Sequence, residues 1–329
     1  MRHVLVTGAN GFIGRHLVER LLKDGHQVRG FCRTGRHGSI QHPGLEWVGG
    51  DVCNETAIKS AAAGVDTIFH LAAKVHETDE MTQDEREYER VNVVGTTNVL
   101  KAAESVGAQR FVFISSVKAM GEGSDHEEDE ESAPLPETAY GRSKLRAEEA
   151  VRRAVLSSRL QAVTLRLPMV YGPGTNGNLF RMMTAIDRGY FPPWPSVSNR
   201  RSMVHVANVV EAACLSATSP VGRYHCYIVT DGVSYSTREL YERIATALGK
   251  RIPAWTVPPP VLRLLARLGD AGEVLLRRRL PFDTSALGKL MGSARYSSQK
   301  IARDLAFHPH MTFHTALPEL MAWYRSASA

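Results

Sequence analysis

The 329-residue chain predicts an α/β fold, a doubly wound parallel sheet followed by a smaller, mostly helical C-terminal lobe. Three observations carry this. Apolar β-type runs (HVLVTG, QVRGFCR, LEWVGGDV, VDTIFHLAA, RFVFISS, AVTLRLPMVY) alternate with helical patterns (GRHLVERLLKDG, NETAIKSAAAG, YERVNVVGTTNVLKAAESVG, YGRSKLRAEEAVRRAVLSS). Strands that are apolar throughout are buried on both faces, as parallel strands between helices are. A glycine-rich turn closes the first of them. After about residue 170 the rhythm changes, with dense Pro and Gly (YGPGTNGN, FPPWP, VPPP) and helical patterns such as TRELYERIATALGK. Residues 1–170, with a return at 203–230, therefore read as a dinucleotide-binding domain, and 171–202 with 231–329 as a substrate-binding lobe.

The first strand runs into TGANGFIG, residues 7–14. Gly8 permits a tight strand-to-helix turn, Gly11 lets backbone approach a phosphate, and Gly14 lets the helix pack closely on the strand. With Asn10, Phe12 and Ile13 they form a phosphate cradle at a helix N-terminus, the Rossmann arrangement. The second strand ends in FCRTGRHG, and no acid stands between Asp24 and Glu46 to bind a ribose 2′-OH. Arg33 and Arg36 suit a 2′-phosphate instead, which favours NADP(H) over NAD(H). At the end of the third run, Asp51 and Val52 are placed beside the adenine, although Asp51 could equally cap the helix ETAIKS. Leu71, Ala72 and Ala73 end the fourth run and border the cofactor. Lys74 and His76 fit either a nicotinamide pocket or a solvated loop. The fifth run ends at Ser115 and Ser116, and YGRSK follows 24 residues later. Tyr140 and Lys144 are four apart, so on a helix they share a face. A lysine cation there would favour the phenolate of a tyrosine otherwise near pKa 10, making Tyr140 a usable acid and base, while Ser116 binds the same oxygen.

Composition narrows the alternatives. Hydrophobic residues make up 43%, charged residues 22%, and the net charge is +6. No Lys/Arg cluster interleaved with aromatics suggests a nucleic-acid groove. No apolar run is long enough for a membrane span and no secretory signal is visible, so a cytoplasmic protein is expected. Cys32, Cys53, Cys214 and Cys226 are scattered, which predicts reduced cysteines and no metal site. The stretch 122–137 carries eight acids and no Lys or Arg, and reads as a solvated loop. PPPVLRLLARLGDAGEVLLRRR is amphipathic and basic at its end; it could touch a membrane, but we expect it to pack on the substrate lobe, with no membrane partner. His205 reads as a structural hydrogen-bonder.

TGxxGxxG at Gly8, Gly11 and Gly14, HLAA at 70–73, Asn92 in RVNVVGTTNVL, Ser116, YGRSK, LRLPMVYGPG and RRSMVHVANVV together resemble the extended short-chain dehydrogenase/reductase (NAD(P)-dependent epimerase/dehydratase) family. The resemblance extends to WYR at 323–325. SSVKAMGE and NRRSMVHV look most like bacterial nucleotide-sugar 4-epimerases and 4-keto-reductases. It implies hydride transfer at a sugar C4, with Tyr140 moving the proton, Ser116 polarising the oxygen and Lys144 also holding the nicotinamide ribose. It further implies a diphosphate contact for Arg201, a nucleotide-sugar contact for Asn178, and a homodimer. Met120 stands where many members carry Tyr. Val117 and Lys118 stand where dehydratases carry Asp-Glu, which disfavours dehydration. Two other functions fit the same residues: a reductase of an uncharged steroid- or flavonoid-like ketone, which has no need of Arg200 and Arg201, and a non-catalytic NADP(H) sensor, which has no need of Ser116, Tyr140 and Lys144 together.

Overall fold

The structure is a computed structural model that describes residues 1–33, 38–75, 85–219, 222–276 and 282–328. Its strands are β1 (His3–Thr7), β2 (Gln27–Cys32), β3 (Leu45–Gly49), β4 (Thr67–His70), β5 (Arg110–Ser116), β6 (Glu127–Glu128), β7 (Gln161–Leu167), β8 (Met169–Tyr171), β9 (Arg201–His205), β10 (Tyr224–Ile228), β11 (Ser234–Tyr235) and β12 (Arg295–Tyr296). Its α-helices are α1 (Phe12–Lys23), α2 (Glu55–Ala62), α3 (Glu85–Tyr88), α4 (Gly95–Val106), α5 (Ala139–Ser157), α6 (Asn178–Asp187), α7 (Val206–Thr218), α8 (Thr237–Ala247), α9 (Pro259–Leu276), α10 (Thr284–Met291), α11 (Gln299–Leu305) and α12 (Phe313–Ser328). A π-helical turn, Glu89–Val94, joins α3 to α4.

Seven strands pair in the order β10-β7-β5-β4-β1-β2-β3, and every pair is parallel. The chain steps from β1 to β2 and β3 on one side, then returns to β4 on the other side of β1. The crevice beyond the carboxyl ends of β1 and β4 is therefore the switch point where doubly wound sheets bind ligands. Side chains alternate between the two faces, as strand geometry requires. Val4 and Val6 join Leu17 and Val18 of α1 and Val209 of α7, whereas Leu5 joins Ile58 of α2, Val99 of α4 and Val151 of α5. A third core, with Tyr171, Trp194, Ile244, Leu262, Phe313 and Leu320, lies in the later part of the chain. It is partnered by a small sheet of order β11-β9-β8.

Three features differ from the sequence reading, and one motif changes structure midway. AVTLRLPMVY is not one strand: Pro168 has no N–H to donate, and the chain breaks there into β7 of the large sheet and β8 of the small one. SMVHVANVV is strand only to His205. The His205 side chain accepts from the Ala207 N–H and caps α7, whose Val206, Val209 and Val210 are buried, so packing overrides their β preference. The continuous helix expected over YERVNVVGTTNVLKAAESVG is interrupted by the π-helical turn. The acidic stretch is more than a solvated loop. β6 pairs with β12, Glu127 meets Arg295 at 3.4 Å, and Glu130 accepts from the Ile228 N–H at 2.7 Å. Burial raises the Glu130 carboxyl above the usual range. The amphipathic segment forms α9, and its Leu262, Ala266 and Gly269 are buried.

Candidate active site

The glycine turn is built of backbone. Gly8 sits at φ +69°, and a Cβ there would stand 2.8 Å from the Ala72 nitrogen; a Cβ on Gly14 would fall on the Gly8 carbonyl oxygen. α1 starts at Phe12 with Gly11 as its N-cap and no side chain closing it. The first-turn N–H groups of Phe12, Ile13 and Gly14 therefore have no intrahelical acceptor, and with the helix dipole they suit a phosphate. Half-buried Asn10 lies within the turn. Behind it, Thr7 Oγ1 accepts from the Leu71 and Ala72 N–H groups, each at 3.2 Å, and bonds His70 Nδ1 at 2.7 Å. His70 Nε2 bonds Thr96 Oγ1 at 3.0 Å, and Thr96 donates to the Asn92 carbonyl at 2.6 Å. That chain assigns the ring proton to Nε2. Burial, aided by the Lys144 charge, pushes His70 down to about 3, so the imidazole is neutral.

Around this cradle the other cofactor candidates divide. Arg33 is exposed at the carboxyl end of β2, and Arg36 lies outside the described residues. Asp51 is half-buried and accepts from the Cys53 N–H at 2.9 Å, with Arg90 at 3.5 Å. Burial pushes the Asp51 carboxyl up, but these partners outweigh it and leave the carboxyl below its ordinary value. Asp51 does not cap α2; Asn54 does, accepting from the Ala57 N–H at 3.0 Å. Val52 is buried and its carbonyl accepts from Asn98 at 3.1 Å. Leu71, Ala72 and Ala73 are half-buried at the end of β4.

Ser116, Tyr140 and Lys144 converge at the end of β5. Ser116 Oγ is buried, accepting from the Lys118 N–H at 3.2 Å and donating to the Leu167 carbonyl at 3.4 Å. Thr138 caps α5 by accepting from the Gly141 N–H at 3.1 Å, which sets Tyr140 in the first turn. Tyr140 shares a hydrogen bond with Ser116 and meets Tyr88 edge-on, ring centroids 6.0 Å apart. One turn on, the Lys144 Nζ donates to the Ile114 carbonyl at 2.8 Å and lies 4.8 Å from the Phe113 ring centroid. Lysine was expected to draw the phenol down. Instead burial dominates and pushes Tyr140 up to about 12 against the pull of Ser116, while burial lowers Lys144 to about 8 against the pull of Glu148. Tyr140 at neutral pH is thus a proton donor, and Lys144 a cation easily neutralised.

Several residues to which the sequence reading gave no supporting role hold the site together. Gly141, inside YGRSK, lets α5 approach, because a Cβ there would strike the Lys118 carbonyl oxygen. Asn92, in the π-helical turn, accepts from the Lys74 N–H at 2.8 Å and donates to the Lys74 carbonyl at 3.0 Å and to Ser143 Oγ at 2.9 Å. It locks the loop after β4 to α5; such bulges recur at functional sites. Lys74 thereby holds its place through backbone, with its Nζ 5.8 Å from the Tyr88 ring centroid, whereas His76 lies outside the described residues. Beneath Lys144, Glu148 pairs with Arg166 at 2.7 Å and accepts from Ser115 Oγ at 2.5 Å, all buried.

The substrate-side candidates stand apart from this cluster. Asn178 is exposed at the first position of α6. Arg200 turns outward to Glu239 at 3.6 Å. Arg201 turns inward, its Nη1 donating to the Lys289 carbonyl at 2.9 Å and the Gly292 carbonyl at 3.0 Å, at the C-terminus of α10. Among the described residues it has no carboxylate within ion-pair distance, and burial lowers its pKa. No group of His, Cys, Asp or Glu able to hold a metal ion occurs among the described residues.

Residues 4–228 match the NAD dependent epimerase/dehydratase family. The chain is similar to a UDP-glucose 4-epimerase of Vibrio cholerae, 32% identical over 283 residues that cover 84% of this chain and 85% of the relative. It is also similar to a 3 beta-hydroxysteroid dehydrogenase/Delta 5→4-isomerase of Mycobacterium tuberculosis, 30% identical over 344 residues that cover 98% and 90%. Among solved structures, MoeE5 in complex with UDP-glucose and NAD matches with a TM-score of 0.80 at 26% identity, over 99% of this chain and 100% of that one.

Proposed function

Since the chain belongs to the NAD dependent epimerase/dehydratase family, we propose that it is an oxidoreductase acting at C4 of a nucleotide-linked sugar with NADP(H), as a 4-keto-reductase or 4-epimerase. The observation that carries the reading is the hydrogen-bonded Ser116–Tyr140 pair with Lys144 one turn away, at the carboxyl edge of a parallel sheet beside the uncapped start of α1. In this reading Phe12, Ile13 and Gly14 bind the cofactor diphosphate through N–H groups, and Lys144 reaches its ribose. The dinucleotide, when bound, gives or takes the hydride. Tyr140, protonated at neutral pH, gives its proton to the forming C4 alkoxide, and Ser116 donates to the same oxygen. Arg201, without a carboxylate partner among the described residues, is the group to meet the sugar diphosphate, with Asn178 near the nucleotide. Residues 1–170 and 203–230 serve the cofactor and the remainder the substrate.

Cofactor choice rests on Arg33, at the position where an acid would select NAD(H). Arg33→Asp should reverse a preference for NADP(H); an unchanged ratio of dissociation constants would remove the assignment. For the substrate, the test is to incubate the enzyme with UDP-hexoses and follow both sugar and cofactor. Stoichiometric NADPH oxidation marks a reductase, whereas interconversion without net oxidation marks an epimerase. A second reading, reduction of an uncharged ketone, is favoured by one fact: Arg201 Nη1 is already engaged with two carbonyls of α10. No UDP binding at millimolar concentration, together with turnover of an apolar ketone, would establish that reading instead.

A further inference from the structure

α9 presents an apolar face wider than the stripe that a surface helix of a globular protein buries. Leu262, Ala266 and Gly269 are buried against the lobe, as the sequence reading expected. Val261, Leu264, Leu265 and Leu268, at i, i+3, i+4 and i+7, form a stripe that flanks the buried one, 43–59% exposed. Elsewhere among the described residues, exposed large apolar side chains such as Leu135, Leu156 and Val233 stand apart in sequence, which is ordinary; a contiguous stripe is not. Arg263 and Arg267 run along one edge of it, exposed, and form no ion pair with a described residue. The chain entering α9 carries exposed Arg251 and Trp255, the latter 63% exposed. The Val257 N–H donates to the Pro193 carbonyl at 3.0 Å, which ties this approach to the segment after α6, where Tyr190 is 78% exposed.

We propose that this face docks the substrate lobe on an anionic membrane surface. The sequence favoured lobe packing over membrane contact for this segment, and only part of its apolar face packs. No described helix is long and apolar enough to cross a bilayer, so α9 lies in the interface plane. Its aliphatic stripe enters beneath the headgroups, Arg263 and Arg267 meet lipid phosphates, and Trp255 and Tyr190 occupy the boundary that amphipathic rings prefer. Asp270, which accepts from the Thr284 N–H at 3.1 Å, and half-buried Glu273 lie beyond the C-terminal end of the stripe, so the charge flanking Val261–Leu268 is that of Arg263 and Arg267; it selects this occupant over a second copy of the chain, since an antiparallel isologous contact would bring the arginine edges together.

The inference is independent of the proposed reaction, because none of these side chains belongs to the Ser116–Tyr140–Lys144 cluster. Flotation with vesicles of phosphatidylcholine containing phosphatidylglycerol should carry the full-length protein upward, and pure phosphatidylcholine vesicles should carry much less. Leu264→Asp and Leu268→Asp should each lower the partition coefficient by about tenfold or more. Arg263→Glu with Arg267→Glu should abolish the preference for anionic vesicles. Circular dichroism and thermal unfolding of each variant should match wild type, since the altered side chains are exposed. No flotation of the wild type on anionic vesicles, or undiminished flotation of the leucine variants, would overturn the proposal. So would a dimer in sedimentation velocity that Leu264→Asp dissociates while vesicle binding persists, which would assign the stripe to self-association.

Discussion

An anion arriving at the sheet edge beyond β1 meets backbone N–H groups, whereas one arriving in the lobe meets the side chain of Arg201. At the sheet edge, glycines keep side chains out, and although Ala9 of the same turn is buried in the core, the groups turned to an anion are backbone N–H groups that this packing does not use. In the lobe, the same arginine that would grip a diphosphate also holds the C-terminal carbonyls of α10, beside Asn199, which donates to the Leu290 carbonyl at 3.2 Å. The contrast teaches that the first region separates binding from stability and the second merges them. Substitutions in the lobe should therefore change affinity and folding together.

The largest effect tests the chemistry at the sheet edge. Tyr140→Phe should cut turnover by about 100- to 10,000-fold while cofactor affinity, measured by fluorescence titration, hardly moves. A variant within a few-fold of wild type would mean that Tyr140 is not the proton donor. Next is the buried pair beneath Lys144. Glu148→Ala leaves Arg166 charged and unpartnered, and should lower unfolding stability by about 3 to 5 kcal/mol in denaturant titration, with Glu148→Leu/Arg166→Met recovering most of the loss. Equal losses in the single and double variants would contradict the coupling. Arg201→Ala bears most directly on the merged region. It should weaken UDP inhibition by about 1.5 to 3 kcal/mol, the scale of a hydrogen bond to a charged group, and also lower the unfolding temperature. A change in UDP inhibition alone would show that binding and stability are separable there too.

A graded effect concerns acid. The folded pKa of His70 is depressed to about 3 from an ordinary 6.5, so the unfolded chain binds more protons throughout that window. The neutral ring's contribution is complete above 6.5 and is lost as pH falls toward 3, at a limiting slope of about 1.4 kcal/mol per pH unit. His70→Gln should flatten that part of the stability profile; an unchanged slope would place the acid sensitivity elsewhere.

What was legible in the sequence follows the same division. Strands buried on both faces announce themselves as apolar runs, and the turn between β1 and α1 needs glycine for reasons of space that residue type records directly. Ser116, Tyr140 and Lys144 were readable because helical spacing and strand ends are local properties. The π-helical turn was not, since Glu89–Val94 is ordinary helical sequence, and only the buried Asn92 reaching both Lys74 and Ser143 marks it. Glu148–Arg166 and Glu130–Ile228 join residues 18 and 98 positions apart, and no local pattern encodes such meetings. Nor did amphipathicity tell that the apolar face of α9 would be wider than the part it buries.

The segment that leaves β5 at Ser116 and re-enters the site at Tyr140 runs outward as the acidic stretch, where β6 lies along β12 and Glu130 takes the N–H of Ile228. Ser116 and Tyr140 are consequently the two ends of a single belt fastened at its middle to the later part of the chain. The belt is thus fastened at two places, to the last strand of the large sheet through Glu130 and to β12 through β6, so the two ends that carry the hydroxyls leave a path held at both.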